Sequence, residues 1–130
     1  MNHPNSFSKS EHLCGEKRIS RTFTQGDAFI AYPMRVVFLI QPKSDVEFVS
    51  VLVGVPKKRF KRAVKRNRLK RLMREAYRLN KQLLIEKLNE KQMQIHIAFN
   101  YVSDEEMDFA NIEKKMKLAL QKLIEKIDEQ

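Results

Sequence analysis

The chain has 130 residues, 42% apolar and 32% charged, with only 3 Gly and 4 Pro; this fits one globular domain and excludes a disordered, collagen-like or low-complexity chain. Its formal net charge of +10 points to a polyanionic partner, nucleic acid before an anionic membrane. One cysteine, Cys14, allows neither an internal disulfide nor a cysteine-based zinc site, and no apolar run approaches the ~20 residues of a membrane span.

Residues 1–10 are polar, contain Pro4, lack the apolar stretch of a signal peptide, and read as a flexible arm ahead of a single domain at 11–130. Cytoplasmic location is the expectation. A weak helical pattern runs from Ser10 to Thr24 on Leu13, Ile19 and Phe23, with Gly26 as its stop signal. Phe29 to Tyr32 reads as a very short strand closed by Pro33. Met34 to Gln41 and Glu47 to Val55 read as strands. The short polar loop between the last two predicts that they pair as an antiparallel hairpin. Gly54 predicts a bulge or a close backbone approach. Pro56, with no amide to donate, ends the strand.

From Arg62 to about Leu88 there is no Gly or Pro and good helix formers predominate, so one long helix is expected. Gln92 to Tyr101 returns to alternation, with Met93, Ile95, Ile97 and Phe99 on one side. Asp104 to Asp108 reads as an acidic loop, solvated or helix-capping. Asn111 to Ile127 is a final amphipathic helix, with Ser103 or Asn111 as the candidate cap. The expected fold is α+β, a single-domain two-layer sandwich with a small, mostly antiparallel sheet in the order α-β-β-β-α-β-α.

The charge is not spread evenly. Lys57 to Lys81 holds 13 Lys and Arg against one acid, Glu75, whereas the rest of the chain holds 13 against 15. At about 100° per residue, Leu69, Leu72, Met73, Ala76, Leu79, Leu83 and Leu84 share one arc of the long helix. Lys70, Arg71, Arg74, Arg78 and Lys81 share the opposite arc, with Asn67 among them. Like charges at i,i+4 cost a helix ~0.2–0.5 kcal/mol per pair. A solvated face ordinarily mixes signs, but Glu75 has no cation four residues on. A polyanion would relieve that repulsion. Arginine forks grip phosphate oxygens bidentately and stack on bases, and an asparagine amide reads base edges or sugar hydroxyls. The helix lacks the partner helix or zipper of a major-groove DNA reader, and a helix framed by strands suits shaped RNA.

The segment Lys61 to Arg78, KRAVKRNRLKRLMREAYR, closely resembles the signature of the bacterial ribonuclease P protein component. The core of the likeness is Arg66-Asn67-Arg68, then Lys70-Arg71, then Arg74-Glu75; Gly54-Val55-Pro56-Lys57-Lys58 resembles the turn before it. The resemblance implies a fold like domain 2 of ribosomal protein S5. It also implies a protein subunit that joins a large catalytic RNA, expected one to one, to remove the 5′ leader of precursor tRNA. That activity is endoribonucleolytic, and its chemistry is expected in the RNA with bound Mg2+, with no catalytic residue and no metal in this chain. By the same resemblance Arg62, Arg66, Asn67, Arg68, Lys70, Arg71, Arg74 and Arg78 face the catalytic RNA. Phe23 and Phe38 stack on the single-stranded leader, and Lys57 and Lys58 meet its phosphates at the cleft edge. Ile19, Pro56 and Phe60 depart from the family pattern. The three histidines, His3, His12 and His96, are scattered and suggest no site.

Two other functions fit the residues without the resemblance. One is a ribosomal or other structural RNA-binding protein. The other is a DNA-binding regulator, although neither duplex DNA nor a membrane is an expected partner.

Overall fold

The computed structural model describes residues 16–44 and 47–130; the arm at 1–10, the start of the first helix, Cys14, His3 and His12 lie outside the described residues. In chain order the elements are α1 (Glu16–Gln25), β1 (Asp27–Ala31), β2 (Met34–Pro42), β3 (Val49–Gly54), α2 (Ala63–Asn80), α3 (Gln82–Lys91), β4 (Met93–Tyr101) and α4 (Phe109–Asp128). The strands form one sheet in the order β1-β2-β4-β3. β1 pairs antiparallel with β2, and β2 with β4, whereas β3 runs parallel to β4. The α+β class and the mostly antiparallel sheet are as the sequence predicts.

The pairing of β2 with β3 is not. β4 lies between them, with Phe38 opposite Ile97 on one side and Val51 opposite Ile97 on the other. The reason is in β4 itself. Ile95, Ile97, Phe99 and Tyr101 are buried on one face, and Gln94, His96 and Ala98 are buried on the other. A strand covered on both faces belongs at the centre of a sheet, and the short 43–48 loop does not outweigh that. Parallel neighbours need a long crossover, which α2 and α3 provide.

One face of the sheet carries the core. Met34, Val36 and Phe38 of β2, Val49, Val51 and Val53 of β3 and the odd-numbered residues of β4 meet Leu69, Met73, Ala76 and Tyr77 of α2. Leu84 and Leu88 of α3 and Ile112, Met116, Leu120, Leu123 and Ile127 of α4 close the same core. Phe60 fills the end of this layer, edge-on to Tyr101 with ring centroids 5.8 Å apart. Asp108 caps α4, its carboxylate accepting from the Asn111 amide at 3.0 Å, so neither Ser103 nor Asn111 is the cap.

The long helix is two helices. They meet at Lys81, which is only 2% exposed with its Nζ 5.9 Å from the centre of the Tyr77 ring. Just before it, the Asn80 amide donates to Ala76 O at 2.8 Å and to Glu113 Oε2 at 3.1 Å. Such side-chain bonds compete with the helical ladder, and this one also ties the end of α2 to α4. The shared apolar arc therefore ends early: Leu79 is exposed and Leu83 is 65% exposed.

α1 packs on β2 and β4 from the other face of the sheet, where Val37 and Ala98 are buried. Gly26 ends it, donating its amide to Thr22 O at 3.1 Å. A Cβ there would lie 2.3 Å from Phe38 O and 2.4 Å from Thr22 O, both backbone atoms. Gly26→Ala therefore costs at least ~1–3 kcal/mol, because neither atom can yield. Thermal denaturation should show a melting temperature several degrees lower; an unchanged one would contradict this close approach.

Candidate nucleic-acid interface

The turn from Pro56 to Phe60 delivers the chain from β3 into α2. Pro56 O accepts from the amides of Arg59 and Phe60 at 3.2 and 3.3 Å, and Lys57 and Lys58 stand exposed on that turn. α2 begins without a side-chain cap and without an acid in its first turn. The positive end of the helix dipole and the cations Lys61, Arg62 and Lys65 thus share one exposed corner, a combination that favours anions.

Further along α2 the core residues recur at Leu69, Met73, Ala76 and Tyr77. Asn67, Arg68, Arg71 and Arg74 are exposed on the other side and Lys70 is half-buried. Arg62, Lys70, Arg71 and Arg74 make no ion pair among the described residues. Lys70, Arg71 and Arg74 thus turn their charge outward along one side of α2, and Arg62 stands exposed at its start.

Three arginines of the predicted set are already engaged: Arg68 with Glu106 of the acidic loop, and Arg66 and Arg78 closer by in sequence. Arg66 turns back on the chain: its Nη1 donates to Phe60 O at 2.9 Å and to Lys61 O at 2.7 Å, clamping the 56–62 turn to the helix. Arg78 pairs with Glu75 three residues earlier, its Nε donating at 3.2 Å and its Nη2 making a second bond to the same carboxylate. That hydrogen bond holds the Glu75 carboxyl below its ordinary pKa and the Arg78 guanidinium above its own. Glu75 thus has its cation at i+3 rather than at i+4.

The acidic side chains of the loop from Ser103 to Asp108 are exposed and Asp108 caps α4, as the sequence suggests, but two of them are also ion-paired. Asp104 accepts from Arg59 at 3.0 Å, and Glu106 bridges Lys65 and Arg68, each at 3.3 Å. The loop is anchored from below. Tyr101 Oη donates to Glu105 O and accepts from the Met107 amide at 3.1 Å. Ser103 Oγ accepts from the Glu105 amide at 3.0 Å and from Tyr32 Oη at 2.8 Å. Burial raises the Tyr101 phenol above its ordinary value, since the phenolate would lose its water.

The sheet face beside α1 is the second surface. Register places Arg35, Asn100 and Gly54 in one row across β2, β4 and β3. Arg35 is exposed and the other two are half-buried. Gly54 is where the close approach occurs: a Cβ would sit 3.0 Å from Asn100 Oδ1. Phe23, on α1, is 43% exposed. Phe38 is not on this surface. Strand alternation turns it to the helix side, where it is 3% exposed and packs against Phe29 with centroids 5.8 Å apart. It is a core residue, and the expectation that it stacks on a base is withdrawn. The sequence reading missed Arg35 and Asn100; the glycine opposite Asn100 was the only signal. Among the described residues no group of His, Cys, Asp and Glu could hold a metal, and no helix is long and apolar enough to cross a membrane.

A sequence model of the family described as Ribonuclease P matches residues 7–124. Over 122 residues the chain is 51% identical to the ribonuclease P protein component of Porphyromonas gingivalis, covering 92% of this chain and 89% of that one. It is 31% identical over 111 residues to the component of Clostridioides difficile, covering 85% and 90%. Its fold matches the Staphylococcus aureus RNase P protein with a TM-score of 0.70 over 88% of this chain and 96% of that one; at 17% identity, that likeness concerns the fold alone.

Removing the Arg66 clamp leaves two carbonyls without their charged donor, so Arg66→Ala costs ~1.5–3 kcal/mol in urea unfolding; no loss would refute the clamp. Tyr101 gives a pH signature. A raised folded pKa means that its contribution is complete below the ordinary value of about 10 and is lost as pH rises through the folded value. Unfolding of the wild type and Tyr101→Phe across that range should show the wild type more stable at neutral pH and its advantage shrinking in alkali. A constant gap would contradict it.

Proposed function

The chain belongs to the ribonuclease P protein family, and we propose that it binds the catalytic RNA of ribonuclease P and the 5′ leader of precursor tRNA, assisting removal of the leader. The observation that carries this is the separation of two surfaces. The signature residues Asn67, Arg68, Lys70, Arg71 and Arg74 lie on the outward side of α2, in the helix layer. Phe23, Arg35 and Asn100 lie on the opposite side of the sheet, where α1 packs.

The first surface is the contact for the catalytic RNA. Each arginine that neutralises a phosphate releases counterions, so assembly weakens steeply with salt. Arg62 belongs to this contact, whereas Arg66 shapes it through the turn and Arg78 is partly neutralised by Glu75. The second surface takes the single-stranded leader. Phe23 offers a face on which any base can stack for ~1–3 kcal/mol. Arg35 supplies a cation and Asn100 an amide, and Lys57 and Lys58 extend the positive charge past the end of β3. The chemistry would belong to the RNA, with Mg2+ bound there supplying Lewis-acid charge stabilisation; no residue of this chain is assigned a catalytic role. This chain's part is to position the leader and to screen phosphate repulsion between two RNAs.

The direct test is reconstitution with the catalytic RNA of the same bacterium and precursor tRNA at low magnesium. Added protein should increase leader removal; no gain would refute the assignment. The surfaces should also separate. Arg71→Ala with Arg74→Ala should weaken assembly and reduce its salt slope by ~1 per lost phosphate contact. Phe23→Ala should leave assembly intact and weaken leader-bearing precursor ~5-fold or more, with mature tRNA unaffected. One defect common to both variants would refute two surfaces.

A further inference from the structure

The acidic loop and the start of α2 are built to fit each other. Asp104 and Glu106 stand two residues apart on one backbone, and each carries its anionic head to a cation of the basic segment: Arg59 at 3.0 Å for Asp104, Lys65 and Arg68 at 3.3 Å for Glu106. The two Glu106 oxygens divide the work, Oε2 to Lys65 and Oε1 to Arg68. A phosphodiester offers the same thing, two equivalent oxygens shared between neighbouring donors and repeated along a chain. The loop is held for this purpose by Tyr101 and Ser103 beneath it.

We propose that Arg59, Lys65 and Arg68 form a phosphate-binding corner for RNA backbone, in which Asp104 and Glu106 stand in for two successive phosphates until RNA replaces them. The proposal rests on the RNA-binding function above. It adds Arg59 and Lys65 to the contact and gives the acids 104 and 106 a role in it. The corner differs in kind from the stripe of Lys70, Arg71 and Arg74, which meets no carboxylate among the described residues. Binding along the stripe is addition; binding at the corner is exchange.

Magnitude decides whether exchange is feasible. All the cations concerned are at least partly exposed. Exposed ion pairs contribute little, so a phosphate that brings further contacts displaces them readily, whereas an isolated anion has to compete. The carboxylates also lower the mutual repulsion of the helix start before RNA arrives.

The test uses the intact chain and a transcript of the catalytic RNA from the same bacterium. Glu106→Gln keeps the side-chain shape and removes its charge. It should tighten RNA binding roughly three- to tenfold at moderate salt, and Asp104→Asn should do so to a smaller extent. In a chain already carrying Lys65→Gln and Arg68→Gln, Glu106→Gln should change nothing, because its partners are gone. Melting temperatures of all variants confirm that each is folded. Unchanged or weaker binding by folded Glu106→Gln would overturn the exchange, as would an equal gain in the Lys65→Gln, Arg68→Gln background. If the wild type itself fails to bind the transcript, the RNA-binding function fails with it; if it binds and Glu106→Gln binds no tighter, only the exchange fails.

Discussion

The structure depends on where β4 sits. It is the strand buried most continuously on both faces, so it takes the centre of the sheet and separates β2 from β3. Once β3 and β4 are parallel neighbours, the chain between them has to cross from one end of the sheet to the other, and α2 and α3 are that crossing. The crossover helix buries Leu69, Met73, Ala76 and Tyr77 and has no choice but to turn its other side outward. The charges of Lys70, Arg71 and Arg74 are thereby gathered on one side of the helix. The opposite face of the sheet is left to α1 and to the row Arg35, Asn100 and Gly54. The basic side of α2 and the row beside α1 thus lie on opposite sides of one sheet because of where a single, doubly covered strand sits.

The charge on α2 is handled unevenly along its length. At its start Asp104 and Glu106 answer Arg59, Lys65 and Arg68; near its end Glu75 answers Arg78. Between them Lys70, Arg71 and Arg74 have no carboxylate partner among the described residues. A helix of like charges destabilises itself by a few tenths of a kcal/mol per pair, and partial internal neutralisation reduces that load without closing the surface. The core beneath does the rest, since the buried residues of α2 are fully covered and Leu69 and Met73 each contribute ~1.5–3 kcal/mol of apolar burial.

Much of this was legible in the sequence because periodicity and charge are local. The alternation in Ile95, Ile97 and Phe99 marked β4, and the order of residues in Arg66-Asn67-Arg68 marked the family. What was not legible is non-local. The hairpin of β2 and β3 was excluded only by a strand some fifty residues away in sequence. The break at Lys81 has no Gly or Pro to announce it and comes from Asn80 reaching Ala76 and Glu113. Phe38 was expected on the leader side from the resemblance alone; strand alternation allows two phases, and packing, not sequence, chooses between them. The ion pairs of Glu106 likewise join residues that only the fold brings together.

The central claim is that two different RNAs meet two different faces of this chain. Site-specific crosslinking tests it most directly, with a photoreactive group placed in turn at Asn67 on α2 and at Phe23 on α1, in the assembled enzyme holding precursor tRNA. The account predicts crosslinks to the catalytic RNA from Asn67 and to the 5′ leader from Phe23. Crosslinks from both positions to the same RNA segment would contradict it.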